Sequence, residues 1–247
     1  MKNYLLNTIA FNDYLQQGIS QVQLVEKTAQ LGFDTIEIRN EFLQNPQSEL
    51  SMIAQKAQIL GLKTSYSVND VLITSEGINP KLMGYIAEMK LLKAKKLKLN
   101  IGAFQSFDFK NWLSALVKLL DGSFELVVEN NQTFSESNLA LTCEFFEIIK
   151  QAQVNITYCF DIANWYWLEV TPSQAAKKLT KQTTYLHLKN VVNTKSGPTT
   201  VSLFDTKGEI DVLDLLKQFP NVNDYGLEYF ASMTTLQEDL KKLKENN

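Results

Sequence analysis

Residues 20–39, SQVQLVEKTAQLGFDTIEIR, contain one complete helix and the strand that follows it. Apolar residues at three- and four-residue spacing predict a helix from about Ser20 to Leu31, with Ser20 as its N-cap and Gly32 just past its end. The β-rich run FDTIEIR (33–39) then predicts a strand. The same alternation of strand and helix continues along the whole chain, which indicates an α/β fold with a parallel sheet.

Eight such units are predicted. The strands cover 4–10, 33–39, 62–68, 96–102, 124–130, 155–161, 184–190 and 224–230, and the helices cover about 20–31, 46–60, 80–94, 108–120, 136–152, 172–180, 210–218 and 232–244. Eight alternating strands and helices close naturally into a (β/α)8 TIM barrel. Since no linker, low-complexity segment or charge run divides the sequence, we expect one domain spanning residues 1–247.

Composition and charge narrow the classes of function. The chain has 247 residues, a net charge of −3 and an isoelectric point of about 5.4, so we expect no nucleic-acid partner. No apolar run approaches membrane-spanning length, and the N-terminus resembles a first strand more than a signal peptide, so we expect no membrane partner. Two cysteines, Cys143 and Cys159, fit a reducing cytosol and hence a cytoplasmic protein.

Polar residues lie near the carboxyl ends of the last four predicted strands. Inward and outward side chains alternate along barrel strands, and the carboxyl ends are where barrel enzymes carry their active sites. Strands five to eight should therefore bring four side chains together at one side of the barrel mouth. These are Glu129, Asp161, His187 and Glu228.

Three carboxylates in a low-dielectric mouth require a compensating positive charge, which a divalent cation would supply. Three oxygen donors and one neutral imidazole suit Mn²⁺, Mg²⁺ or Co²⁺ with open positions, and Mn²⁺ is favoured; Zn²⁺ is the further option. One alternative is that each carboxylate caps a helix or pairs with a lysine. Another is that His187, the only histidine in the chain, is a core residue bonded to a backbone carbonyl.

Five short motifs, in this order, resemble the sugar phosphate isomerase/epimerase branch of the xylose-isomerase-like TIM barrels. They are VVEN (127–130), FDIANW (160–165), HLKN (187–190), GEID (208–211) and GLEYF (226–230), and LGFDTIEIR (31–39) extends the resemblance over nearly the whole chain. That branch includes ketose 3-epimerases, inosose isomerases and dehydratases, and hydroxypyruvate isomerase-like proteins. The resemblance implies a divalent metal held by the four residues above, with Glu129 and Glu228 as the acid/base pair.

Two positions depart from the family pattern. Asn164 stands where many relatives have a histidine, and Asn190 stands where the strand-seven motif often ends in an aspartate. Neither change removes an implied metal ligand. Both concern substrate contacts, which are therefore not carried over from the epimerases.

Candidates for substrate contact come from the remaining residues of the mouth. They are Asn7, Glu37, Arg39, Asn130, Gln132, Asn164, Trp165 and Lys189. Arg39 is the only arginine, and its planar fork suits a carboxylate or phosphate, with a Glu37–Arg39 salt bridge as the alternative. Trp165, Phe104 and Phe107 either stack on a sugar face or pack the loops onto the barrel rim.

We therefore expect a metal-dependent isomerase or epimerase that acts on a sugar or sugar phosphate through an enediolate, with two glutamates exchanging the proton. Two alternatives stay open: a sugar or inosose dehydratase, and a catalytically drifted carbohydrate-binding barrel. An apurinic-site endonuclease is disfavoured, because its trinuclear zinc centre needs several nitrogen ligands and this chain has one histidine. Barrels of this type commonly pair, so a homodimer is a further expectation.

Overall fold

A closed ring of eight parallel strands forms the centre of the computed structural model, which describes residues 1–102 and 106–246, without the side chains of 106–111. The strands are β1 (Asn3–Asn7), β2 (Thr35–Arg39), β3 (Lys63–Thr74), β4 (Lys96–Gly102), β5 (Glu125–Glu129), β6 (Ile156–Asp161), β7 (Thr183–Leu188) and β8 (Asp224–Leu227). Each pairs in parallel with the next, and β8 pairs with β1, which closes the ring. The predicted (β/α)8 barrel is confirmed.

Helices surround the ring in the predicted order. The helices that follow the eight strands are Gln21–Gln30, Pro46–Ile59, Leu82–Leu91, Ser106–Leu119, Leu139–Gln151, Pro172–Leu179, Val212–Leu216 and Met233–Asn246. The first begins with a capping box between Ser20 and Gln23 and is followed by Gly32, whose φ of +83° is a left-handed conformation that glycine adopts without strain. Among the described residues, no helix is long and apolar enough to cross a membrane.

Some strands end at residues other than those predicted, because a polar side chain caps the helix that follows. β1 ends at Asn7 because the Asn7 side chain accepts a hydrogen bond from the backbone N–H of Ile9 (3.0 Å) and caps a 3-10 helix, Thr8–Phe11. Further short helices span Asn12–Gln16, Asn40–Phe42, Phe134–Ser137 and Asn164–Leu168. β3 runs past its predicted end and pairs antiparallel with Gly77–Ile78, and β7 is followed by a hairpin of Asn190–Thr194 and Gly197–Val201.

Two layers of apolar packing hold the barrel. The larger layer lies between the strands and helices and includes the predicted outward residues Ile36, Ile38 and Leu186. A smaller cluster inside the ring contains Leu5, Val127, Cys159 and Tyr185. This filled interior supports the polar side chains at the carboxyl ends of the strands from below.

Candidate metal centre

The four predicted ligands meet at the carboxyl end of the barrel. One donor atom from each of Glu129, Asp161, His187 and Glu228 lies within 4.8 Å of the others, and all four residues are buried. Ligand atoms about 2.1 Å from one ion lie up to about 4.2 Å apart, so the observed spread is close to what a single cation requires. We call these four residues the candidate centre.

The two ring nitrogens of His187 face different acidic groups. Nδ1 contacts Oε1 of Glu129 and lies 3.4 Å from Oε2 of Glu228, on the side of the candidate centre. Nε2 lies 2.8 Å from Oε1 of Glu37 and 3.0 Å from the hydroxyl of Tyr185. A metal-binding histidine typically donates its second N–H to a carboxylate in this way. The alternative of a core histidine bonded to a backbone carbonyl is wrong, because both nitrogens face side-chain oxygens.

Glu37 is held firmly for that contact. Its carboxylate accepts hydrogen bonds from Asn7 Nδ2 (2.7 Å), Ser65 Oγ (3.1 Å) and the Tyr185 hydroxyl (3.0 Å), and the residue has no exposed surface. Burial opposes its charge, yet the neighbouring His187 lowers the pKa of Glu37 to about 2. Glu37 is therefore an ionised acceptor beneath the imidazole.

Three cations contact the same acids. Lys98 Nζ contacts Oε2 of Glu129, and Lys189 Nζ lies 2.6 Å from Oδ2 of Asp161 and 2.9 Å from Oε2 of Glu228. The contacts expected under the alternative, in which carboxylates of the centre pair with lysines, are therefore present.

Arg39 is the third of these cations. Its Nη1 lies 3.1 Å from Oε1 of Glu228, and its Nε and Nη2 each lie 2.6 Å from Oε1 of Glu41. The alternative salt bridge between Glu37 and Arg39 is wrong, because Glu37 faces His187 and Arg39 turns to Glu41 and Glu228.

The charges of this network leave room for a divalent cation. Five carboxylates are joined by these contacts, namely Glu37, Glu41, Glu129, Asp161 and Glu228, whereas the fixed positive charges are three. With a neutral His187, the two missing positive charges equal the charge of one divalent ion. The donor set and the charge count therefore both fit one divalent metal ion.

Asp161 shows most clearly that the network lacks positive charge. Its Oδ1 accepts hydrogen bonds from the backbone N–H groups of Ala163 (2.9 Å) and Asn164 (2.8 Å), which fixes the carboxylate. Its buried Oδ2 accepts no well-oriented hydrogen bond from the described residues, although Lys189 Nζ is close. Burial, together with the charges of Glu228 and Glu129, raises the pKa of Asp161 to about 6 against the opposing effect of Lys189.

A cavity of about 550 Å³ opens above the candidate centre. Glu129 and Glu228 lie on its wall, and so do four of the predicted contact residues, Arg39, Gln132, Asn164 and Lys189. The sequence reasoning missed several further wall residues, among them Asn69, Lys98, Asn100, Thr199, Thr200 and Phe230. Lys98 and Asn100 had a signal in KLKLNIG, where they alternate with the buried Leu97 and Leu99.

The other four predicted contact residues, Asn7, Glu37, Asn130 and Trp165, do not lie on the cavity wall. Asn7 and Glu37 form the buried network under His187. Asn130 accepts from the Tyr158 hydroxyl (2.8 Å) and the backbone N–H of Asp161 (3.0 Å), so it positions a metal-ligand candidate.

Trp165 packs the rim of the barrel. It has no exposed surface, and its ring centroid lies 5.6 Å from that of Phe160. Rim packing, the alternative to sugar stacking, is therefore confirmed for this residue. Phe104 and the side chain of Phe107 lie outside the described residues.

The two departures from the family pattern have different surroundings. Asn164 donates to the backbone oxygen of Asn130 (2.8 Å) and accepts from Gln132 (3.1 Å) on the cavity wall. Asn190 is buried and donates to the backbone oxygens of Leu203 (3.1 Å) and Ile210 (3.0 Å). Asn190 therefore anchors a loop, whereas Asn164 lies on the cavity wall with both ends of its amide hydrogen-bonded.

No protein-family model matches the sequence, and no curated protein sequence matches it. Solved structures do match, and the four described here do so over nearly their full lengths. A xylose isomerase domain containing protein from Salmonella typhimurium LT2 has a TM-score of 0.76 and 15% identity, covering 99% of this chain and 96% of that one. The probable 3-DHS dehydratase AsbF from Bacillus anthracis has a TM-score of 0.70 and 18% identity, covering 99% and 100%.

Other similar structures have different activities in their names. D-allulose 3-epimerase from Methylomonas sp. has a TM-score of 0.69 and 14% identity, covering 100% of this chain and 97% of that one. AP endonuclease, family 2, from Brucella melitensis has a TM-score of 0.64 and 12% identity, covering 99% of each chain. Identities this low show the fold alone, and the named activities differ among the neighbours. The protein therefore shares the (β/α)8 TIM-barrel fold of these solved structures.

Proposed function

We propose that this protein is a divalent-metal-dependent isomerase or epimerase that acts on a sugar or sugar phosphate through an enediolate. The observation that carries the proposal is the convergence of three carboxylates and one imidazole at the floor of an open cavity. A divalent cation held there by Glu129, Asp161, His187 and Glu228 would polarise the substrate carbonyl and acidify the adjacent C–H bond. Mn²⁺ is the ion that we expect, for its preference for mixed oxygen and nitrogen ligands.

Glu129 is the base in this proposal. Burial opposes its ionisation, but in the metal-free protein the charges of His187 and Lys98 lower the pKa of Glu129, and in the loaded site the cation takes the place of the charge on His187, so the carboxylate is ionised at neutral pH. Its position on both the candidate centre and the cavity wall allows it to reach a proton on a carbon next to the carbonyl.

Glu228 is the second member of the acid/base pair. It also lies on both the candidate centre and the cavity wall, and its Oε2 accepts a hydrogen bond from Lys189 Nζ at 2.9 Å. Lys189 therefore orients this carboxylate, which would take up a proton from solvent and deliver it to carbon, while Glu129 releases to solvent the proton that it removed. Delivery to the opposite face gives epimerisation, and delivery at the neighbouring carbon gives isomerisation.

Deuterium exchange tests the proposal. The Mn²⁺-loaded protein is incubated in D₂O with a panel of ketoses and ketose phosphates, and proton NMR follows the C–H signals beside each carbonyl. We expect exchange that needs the cation, stops with a chelator and is lost in Glu129→Gln. The matched control is Glu125→Gln, on the same strand, whose carboxylate accepts from Thr157 and Thr184 at the other end of the barrel.

The products separate the remaining reactions. A new ketose or aldose supports an epimerase or isomerase, whereas loss of water to an unsaturated product supports the dehydratase. Metal binding without exchange on any compound would contradict the proposal and favour a carbohydrate-binding barrel. A cytoplasmic location and a homodimer stay predictions.

A nucleic-acid substrate fits poorly with the same features. The chain has a net charge of −3 and one histidine. Each of the three cations on the described cavity wall is already paired with carboxylates. A phosphodiester backbone would gain little attraction from such a wall.

A further inference from the structure

We infer that the substrate is an uncharged polyhydroxy ketone and that the site rejects sugar phosphates and sugar acids. The inference rests on the proposed function and narrows its substrate class. It follows from the observation that every positively charged side chain on the described cavity wall already contacts a carboxylate.

Each of the three guanidinium nitrogens of Arg39 already contacts a carboxylate. Nε and Nη2 lie 2.6 Å from Oε1 of Glu41, and Nη1 lies 3.1 Å from Oε1 of Glu228, while only 13% of the side chain is exposed. An anionic substrate group would meet this guanidinium beside two carboxylates that already neutralise its charge. The expectation that Arg39 selects a carboxylate or phosphate is therefore replaced: Arg39 holds Glu228 in place.

The two lysines of the cavity wall also contact carboxylates. Lys98 Nζ contacts Glu129, and Lys189 Nζ contacts both Asp161 and Glu228. Among the described residues that line the cavity, Arg39, Lys98 and Lys189 are the positively charged ones. A phosphate dianion placed here would lie beside carboxylates without a free counter-charge, which is costly in a partly buried cavity.

The net charge of the metal-loaded site also favours an uncharged substrate. Five linked carboxylates and three fixed cations become neutral when one divalent ion is bound and His187 is neutral. A neutral substrate preserves that balance. A phosphate dianion would leave an excess of two negative charges inside the cavity.

The rest of the wall suits hydroxyl groups. Amides and hydroxyls line it, including Asn69, Asn100, Gln132, Asn164, Thr199 and Thr200. Asn100 is paired in register with Glu129 on the neighbouring strand, and its side chain makes no hydrogen bond within the described part of the chain. Its amide can both donate to and accept from substrate hydroxyls. Phe230, 61% exposed on the same wall, offers an aromatic face to the C–H side of a sugar.

Matched pairs of ligands test the inference. Calorimetric binding to the Mn²⁺-loaded protein is compared for D-fructose and D-fructose 6-phosphate, and for D-ribulose and D-ribulose 5-phosphate, alongside the deuterium exchange assay. We expect the free ketose of a pair to bind at least about tenfold more tightly than its phosphate. Tighter binding of the phosphates, or binding of neither member of either pair, would overturn the inference.

The two proposals fail in different ways. If the phosphates bind more tightly and exchange their C–H protons, the proposed function stands and the substrate class is wrong. If the free ketoses bind without exchange, the substrate class stands and the proposed catalysis is wrong.

The variant Glu41→Gln gives an internal check. It removes one negative charge and weakens the hold on two donors of Arg39, so phosphate binding should improve about tenfold while free-ketose binding changes less than about threefold. The control Glu245→Gln removes the same charge from an exposed carboxylate 3.9 Å from Lys241 and should alter neither. An unchanged preference in Glu41→Gln would count against the role assigned to Arg39.

Discussion

Nε2 of His187 lies 2.8 Å from Oε1 of Glu37, on the side of the ring opposite to the candidate centre. Since Glu37 is buried and held by Asn7, Ser65 and Tyr185, it can keep the proton on Nε2 and leave Nδ1 as the ligand atom. The single histidine of the chain thus has both of its nitrogens engaged, and its orientation depends on a residue from β2.

Glu37→Gln tests this dependence. An amide is a weaker acceptor than a carboxylate, so the imidazole loses its anchor and the affinity for Mn²⁺ should fall about 10- to 100-fold. The measurement is a metal titration against a chromophoric chelator, with circular dichroism to confirm the fold.

The control for Glu37→Gln is Glu88→Gln. Glu88 also accepts a tyrosine hydroxyl, from Tyr66 at 2.7 Å, but it lies outside the candidate centre. It should leave the affinity for Mn²⁺ unchanged. Equal affinities in Glu37→Gln and the wild type would refute the anchoring role of Glu37.

Glu129→Gln should abolish turnover while the fold is retained. The change removes the proposed base and one ligand but keeps the side-chain volume, so we expect the exchange rate to fall at least about 100-fold. Thermal unfolding of the metal-free variant checks that the barrel is intact. Wild-type exchange rates in this variant would exclude Glu129 as the base.

Lys189→Gln should separate metal binding from catalysis. The ammonium shares Asp161 and Glu228 with the proposed cation, so its removal should tighten Mn²⁺ binding about tenfold through lost charge repulsion. Exchange should nevertheless slow, because Glu228 loses the contact that orients its carboxylate. The control Lys96→Gln breaks a buried ion pair with Asp224 (2.6 Å) at the other end of the barrel. Weaker metal binding in Lys189→Gln than in Lys96→Gln would contradict this assignment.

Asp70 gives a prediction about pH and stability away from the candidate centre. Burial opposes its charge, but hydrogen bonds from the Tyr85 hydroxyl (2.6 Å) and the Val71 N–H (2.8 Å) lower the pKa of Asp70. A lowered pKa stabilises the fold above the unfolded pKa of about 3.9 and the gain is lost as pH falls through the folded value.

Asp70→Asn should therefore reduce the free energy of unfolding by about 1 kcal/mol at pH 7, and the loss should shrink below about pH 4. Urea unfolding at several pH values measures it, and Asp13→Asn, at an exposed acid, controls for the loss of charge. A difference that grows as the pH falls would show that the sign is wrong.

Much of the barrel could be predicted from the sequence because its strands obey simple alternation. Leu126 and Val128 face the helices, which leaves Glu129 inward, and the same rule places His187 between Leu186 and Leu188. Parallel neighbours then bring their carboxyl ends together without further information. The convergence at the candidate centre is a consequence of that register.

The partners of each side chain could not be predicted in the same way. Asn130 follows β5 and Trp165 follows β6, so both are expected at the barrel mouth. In the structure, Asn130 instead bonds to the backbone of Asp161, and Trp165 is buried against Phe160. The Lys98–Glu129 contact joins adjacent strands through flexible side chains, so strand alternation suggests that both face inward and says nothing about their pairing. The hairpin after β7 depends on Asn190, whose partners lie 13 and 20 residues away.

The central claim is that Glu129, Asp161, His187 and Glu228 hold one divalent cation. Anomalous diffraction from crystals grown with Mn²⁺, recorded on both sides of the manganese absorption edge, tests it most directly. The account predicts one strong peak per chain, about 2.2 Å from Nδ1 of His187 and from one oxygen of each carboxylate. The absence of a peak among these four side chains at saturating Mn²⁺ would contradict it.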